Sequence, residues 1–185
     1  LATLRRRLDG VLGGAEEGAA ALKALDKIAE AHTQTLADTA DSAIRLKAFG
    51  LDPLNGTLQA LIDTNEKYGK GAATLDTVTT QLGQSWASGR IQLEELNSIT
   101  DAGIPILTAL EAVTGKSANQ IRNMASAGAL GRDVIRDLIT ELGSMSEAAG
   151  SEKIKGLPGL ISAAKKEFRD LFRLAADAGA LDVIK

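Results

Sequence analysis

The chain offers very little with which to do chemistry. It has one histidine, His32, and no cysteine among its 185 residues. A histidine ligand cluster or a Ser-His-Asp triad would have to be built on His32. That residue instead falls on the apolar seam of a helical stretch, where a satisfied packing role or a weak determinant of helix register is expected. Glu94 and Glu95 are the most conspicuous carboxylate pair. Neighbouring positions on a helix point in different directions, so the two cannot share one acid-base task. Glu95 lies three residues after Gln92, and both acids read as first-turn charge on a helix dipole. The "GKG" at 69–71 is too short to cradle a phosphate and no strand precedes it. No spacing of carboxylates supports an all-oxygen metal site. Trp86, the single tryptophan, could anchor a partner, but its place in the series Leu75, Val78, Leu82, Trp86 predicts a core role. These residues predict no enzyme, no cofactor, no metal and no small-molecule substrate.

Charge narrows the partners further. The formal net charge is −3, whereas a general nucleic-acid binder usually carries a basic excess or stripe. Arg5-Arg6-Arg7 is the dense basic run, and it reads as a solvated helix face or the edge of a fragment. A helix-turn-helix regulatory or protein-interaction module is the alternative function to weigh. Its best recognition helix would be "SANQIRNMA" at 117–125, with Asn119, Gln120, Arg122 and Asn123. Basic support nearby stops at Lys116 and Arg132, so sequence-specific nucleic-acid binding is not expected. The absence of cysteine excludes disulfides and fits a reducing compartment. No apolar run approaches the roughly 20 residues that span a bilayer. The chain opens on Leu1 rather than Met, which suggests a fragment or processed product of a longer protein.

The elements that position these residues are helices. Hydrophobic residues make up 44% of the chain but aromatic residues only 3%, so the apolar mass is Leu, Ala and Ile, suited to helix-on-helix packing. Nineteen glycines against three prolines suggest many helix ends. No stretch alternates with the period of two that a strand needs. Residues 15–49 read as one long helix, with Leu22, Leu25, Ala29, His32, Leu36, Thr39, Ala43 and Leu46 stepping by three and four. That heptad-like seam predicts self-association or packing on a neighbouring helix, through Leu22, Leu25, Ala29, His32, Leu36, Ala43 and Leu46. Gly50 is a plausible C-terminal cap. Asp52-Pro53 supplies an N-cap and a first helical position for a helix running to about Lys67.

Five short helices follow, at about 75–87, 93–102, 106–113, 117–127 and 132–142, the last ending at Gly143. Ser117 with Gln120 has the spacing of a capping box. Each helix is near or below the length stable alone in water, so 73–143 should be one compact unit. Its predicted core is Leu82, Trp86, Leu96, Ile99, Leu107, Leu110, Ile121, Ile135 and Leu138. After the polar stretch 144–153, an amphipathic helix is expected at about 160–177, with Leu160, Ile161, Ala164, Phe168, Leu171, Phe172 and Ala175 on its apolar side. Its interleaved charges favour packing on the helical unit over a membrane surface. The expectation is an all-α chain: a long helical segment at 1–50, a connecting helix and turn at 51–72, the compact module at 73–143, and a linker with an amphipathic helix at 144–185.

The motifs "LGQSWASGRI", "LEELNSITDAGIPIL", "TGKSANQIRNMASAGAL" and "VIRDLITELG", in that order and spacing, resemble the N-terminal domain of tail tape measure proteins from long-tailed bacteriophages and prophages. The resemblance covers about 73–143 well and reaches more loosely back through "FGLDPLNGTLQALID" and forward into the last helix. One departure is Gln92, where a better N-cap such as Ser is expected. The resemblance implies a virion structural and assembly protein, a scaffold and ruler that sets tail length inside the tail tube and takes part in DNA delivery. It implies tail-tube, tail-tip and tail-assembly chaperone proteins as partners, a homo-oligomeric state, and location in the tail lumen after assembly in the bacterial cytoplasm. A helical ruler gains about 1.5 Å per residue. The frequent glycine breaks in 73–143 make this stretch a folded knob with an assembly or docking role, beside a long extended helix at 15–49.

Overall fold

The computed structural model describes residues 1–146 and 157–177. They are helical almost throughout. The single extended pairing among them is an antiparallel bridge between Arg90 and Gly131.

The chain begins with a helix that periodicity did not signal. α1 (Ala2–Leu12) turns at Gly13 (φ 98°) and folds back on α2 (Ala15–Ala31). The basic run lies on α1, where Arg5 pairs with Asp9 at 2.7 Å and Arg7 with Asp41 at 2.8 Å.

The long helix expected over 15–49 is two helices. α2 stops at Ala31, His32 is extended (φ −132°, ψ 173°), and α3 (Leu36–Ala48) starts at Thr35. The physical reason is local. The Thr35 side chain accepts a hydrogen bond from the Asp38 N–H at 3.1 Å, which caps a new helix where the seam pattern implied continuity. His32 leaves the helical path, and its ring meets Gln59, Asp63 and Glu66 further along the chain.

Asp52 caps as expected, accepting from the Leu54 N–H at 2.9 Å. The helix does not continue directly from Pro53, however. A π-type turn, Pro53–Thr57, contains Gly56 at φ 108°, a left-handed value that no ordinary helix accommodates. α4 therefore spans only Leu58–Lys67.

The short helices are α5 (Ala72–Ser88), α6 (Leu93–Asp101), α7 (Ile106–Thr114), α8 (Ala118–Ser126) and α9 (Arg132–Ser146). Ser117 and Gln120 form the expected reciprocal cap on α8, at 3.3 and 2.9 Å. At Gln92 the surrogate for a better cap is Glu95, which accepts from the Gln92 N–H at 2.9 Å. Gly143 does not end α9. It lies inside the helix, where an added Cβ would sit 3.0 Å from the Ala60 Cβ, so its smallness serves the close approach of α4. α10 (Leu157–Asp177) closes the described chain.

The packing has two halves. α2 packs on α1, α3 and α10, while α4 packs along α9, and α7, α8 and α6 complete that side. α3 against α5 is the broadest contact between them. There Gly83 lets the Phe49 ring approach so closely that an added Cβ would be 2.3 Å from it. Arg45 spans the same seam, pairing with Asp76 and donating to Thr80 Oγ1 at 3.1 Å. The buried apolar residues nonetheless form one continuous cluster running from Leu8 to Leu142. Burying such leucines and isoleucines contributes roughly 1.5–3 kcal/mol each.

Candidate functional site

The polar residues that sequence left isolated are gathered at the break between α2 and α3. The His32 side chain is 1% exposed. Its Nδ1 lies 2.6 Å from Glu66 Oε2. Its Nε2 lies 3.0 Å from Gln59 Nε2 and 3.2 Å from Asp63 Oδ1. Gln59 Nε2 also donates to Asp63 Oδ1 at 2.8 Å. The second Glu66 oxygen accepts from the Thr33 N–H at 2.6 Å. All three partners of the ring sit on α4, at positions 59, 63 and 66, one helical face in steps of four and three.

The electrostatics follow from this geometry. Burial pushes the Glu66 carboxyl up, but the hydrogen bonds from His32 and from the Thr33 backbone, with the charge of His32, outweigh it and hold the group below its ordinary 4.5. Gln59 Oε1 is buried and has no hydrogen-bond partner. Satisfied packing of His32 was expected; its three partners on α4, 27 to 34 residues away, were not.

An open groove of about 740 Å³ adjoins this cluster. Gln59 and Asp63 line it from α4, Asp52 and Asn55 from the π-type turn, and Arg136 and Thr140 from α9. Trp86 stands at its edge, partly buried, with the Arg132 guanidinium 5.4 Å above its ring. Arg132 Nε also donates to the Trp86 carbonyl at 2.9 Å. No group of three His, Asp or Glu side chains among the described residues is placed to hold a metal ion.

Of the seam residues, Leu25, Ala43 and Leu46 are buried within the chain, and Leu22 and Leu36 pack partly buried against the same core. Ala29 is half-buried and His32 faces α4. Because α2 and α3 are separate helices, these positions do not form one continuous stripe. Of the module residues, Leu82, Leu96, Ile99, Leu110, Ile121, Ile135 and Leu138 are fully buried, while Trp86 and Leu107 are partly buried. On α8 the side chains of Asn119, Gln120, Arg122 and Asn123 are exposed, and Gln120 is used in its own helix cap.

α10 carries the remaining apolar surface. Its first half lies on α2, with Ala164 buried and Leu160 and Ile161 packed on the core. Lys23 with Glu167 at 2.8 Å, and Arg169 with Glu16, fix the contact. The Arg5 guanidinium lies 5.4 Å over the Phe168 ring. Glu16 is in the first turn of α2, and residues 169–174 beyond it are all exposed, including Leu171 (66%), Phe172 (56%) and Leu174 (67%). No helix among the described residues is long and apolar enough to cross a membrane.

The sequence matches the family model described as tape measure protein over residues 1–177. It is 33% identical over 172 residues to the Mu-like prophage FluMu protein gp42 of Haemophilus influenzae, an alignment covering 92% of this chain and 27% of that protein. It is 24% identical over 155 residues to the probable tape measure protein of Escherichia phage Mu, covering 83% of this chain and 22% of that protein. The chain thus spans about a quarter of the length of these curated relatives. No solved structure matches it.

Proposed function

The chain belongs to the tape measure protein family, and from that membership we propose that it is the folded helical head of a phage tail scaffold. In this reading the whole protein sets tail length inside the tail tube and takes part in DNA delivery. Its partners are tail-tube, tail-tip and tail-assembly chaperone proteins, met in the bacterial cytoplasm during assembly and in the tail lumen afterwards. The chain acts by binding and positioning rather than by catalysis. The observation that carries this is the family match over residues 1–177, almost the whole sequence.

The fold supports a head rather than a ruler. A continuous helix of n residues spans about 1.5n Å. Here the longest described helix is α10 with 21 residues, and the helices fold back on one another. The test is electron microscopy of particles from the prophage that encodes the full-length protein. Removing helical turns from the extended part of the protein should shorten tails by about 1.5 Å per residue. Unfolding this head with Leu82→Asp should instead abolish or misassemble tails without a graded change in length. Full-yield tails of normal length from the Leu82→Asp particle would overturn the assignment of an assembly role to this unit.

A further inference from the structure

We propose that His32, Gln59, Asp63 and Glu66 form a proton-dependent latch between the α2–α3 break and α4, with the Gln59 carboxamide turning over as His32 gains or loses its proton. The argument begins with donor and acceptor matching. An imidazole nitrogen facing an amide N–H must be the acceptor. In the neutral form of the ring, His32 Nε2 accepts from Gln59 Nε2 at 3.0 Å. The ring proton is then on Nδ1, donated to Glu66 Oε2 at 2.6 Å. Gln59 then spends one N–H on His32 and the other on Asp63 Oδ1 at 2.8 Å. Every donor in that chain has an acceptor. The residue of mismatch is Gln59 Oε1, buried with no partner, and an acceptor left unmet in the interior is unfavourable.

Taking up one proton from solvent at Nε2 reverses the logic. Nε2–H becomes a donor and cannot face the Gln59 N–H. Asp63 Oδ1, already 3.2 Å away, becomes its partner. A half-turn of the carboxamide brings the orphaned Oε1 round to share that one donor, and it turns the Gln59 N–H groups away from His32 and Asp63. The imidazolium then lies between Glu66 and Asp63, and both ion pairs tie the break to α4. The charged groups paired with the ring are Asp63 and Glu66, both on α4. Asp52 and Arg136 line the same groove as Asp63. The latch joins the two halves at a point distinct from the α3–α5 contact, so the protonated form is the tighter one.

The sole histidine makes the test direct, because its ring signals in an NMR titration of the whole chain need no disentangling. The His32 ring signals are followed as the pH is varied. The Gln59 side-chain amide signals should move with the same midpoint. Hydrogen exchange at the Thr33 amide should slow about tenfold below that midpoint, relative to amides of the α1–α2 hairpin. Gln59→Met keeps the length of the side chain but gives the neutral ring no donor while leaving Asp63 for the charged ring. It should raise the His32 midpoint by about one unit, a tenfold change in that equilibrium. The proposal is overturned by Gln59 signals that stay flat through the His32 transition, by ring signals that do not change with pH, or by an unchanged midpoint in Gln59→Met.

Discussion

Glu66 is a single carboxylate that ties the α2–α3 break to α4. It accepts from the His32 ring, the Thr33 N–H and, at 3.2 Å, the Thr33 hydroxyl. Glu66→Gln keeps the shape and removes the charge, leaving donors without a matched acceptor. Losing hydrogen bonds to a charged group costs roughly 1.5–3 kcal/mol, so urea unfolding at pH 7 should show a loss in that range. The pH dependence has a definite sign. The folded-state value of Glu66 lies below its ordinary 4.5, so the folded state holds the proton less readily than the unfolded one. Its stabilisation is complete above about 4.5 and fades as pH falls through the lowered folded value. Wild type and Glu66→Gln should therefore converge in stability as the medium becomes more acidic. A constant gap down through the carboxylate range would contradict the role given to the ionised form. By contrast, the exposed pair Lys27 and Glu30, 2.9 Å apart, should contribute little when broken by Lys27→Ala.

At the scale of elements, the α3–α5 contact is the broadest between the halves, and it depends on a missing side chain. Gly83→Ala improves intrinsic helix preference by about 1 kcal/mol. It also drives a methyl group into the Phe49 ring. Overpacking of this kind typically costs about 1–3 kcal/mol, so a net loss is expected in a thermal or urea melt. A stabilised Gly83→Ala protein would mean that Phe49 is free to move aside. The same contacts explain what the sequence could and could not convey. The short helices α6 to α8 were legible because their signals are local: a Gly beyond each end, Pro105 before α7, and the Ser117–Gln120 cap. The break at 32–35 was hidden, because steps of three and four run through it from Leu22 to Leu46. The counter-signal was Thr35 followed by Asp38, an N-cap pattern lost within a polar stretch. Gly143 misled in the opposite sense. Glycine reads as a stop from sequence alone, and only the neighbouring Ala60 reveals that it is there for close packing. The His32 cluster was not legible at all, since its partners on α4 are chosen by how α2, α3 and α4 fold together and not by any spacing near His32.

For the whole molecule, the boundaries that spacing suggested can be tested against the packing. α4 lies along α9, and Ile139 and Leu142 belong to the same buried cluster as Leu58, Leu61 and Ile62. Residues 73–143 alone should therefore unfold with little cooperativity, and 51–146 should melt with a sharper transition, as followed by calorimetry. Equal cooperativity in the two fragments would mean that 51–72 is a connector after all. A second prediction concerns association. With Leu25, Ala43 and Leu46 used inside the chain, most of the large apolar side chains exposed among the described residues, Leu171, Phe172 and Leu174, lie at the far end of α10, with Leu1 the other. Leu171 and Phe172 continue the face that, one to three turns earlier, lies on α2, and Leu174 stands beside them. Changing these three to Asp removes apolar surface that is already in water, so folding stability should move by no more than about 0.5 kcal/mol. If copies associate through this end, light scattering should show an oligomer for the wild type and a folded monomer for the triple variant. Leu25→Asp should behave differently, because it places a charge in the core and should unfold the α1–α2–α3 half. An oligomer that survives the triple change would place self-association elsewhere on the head.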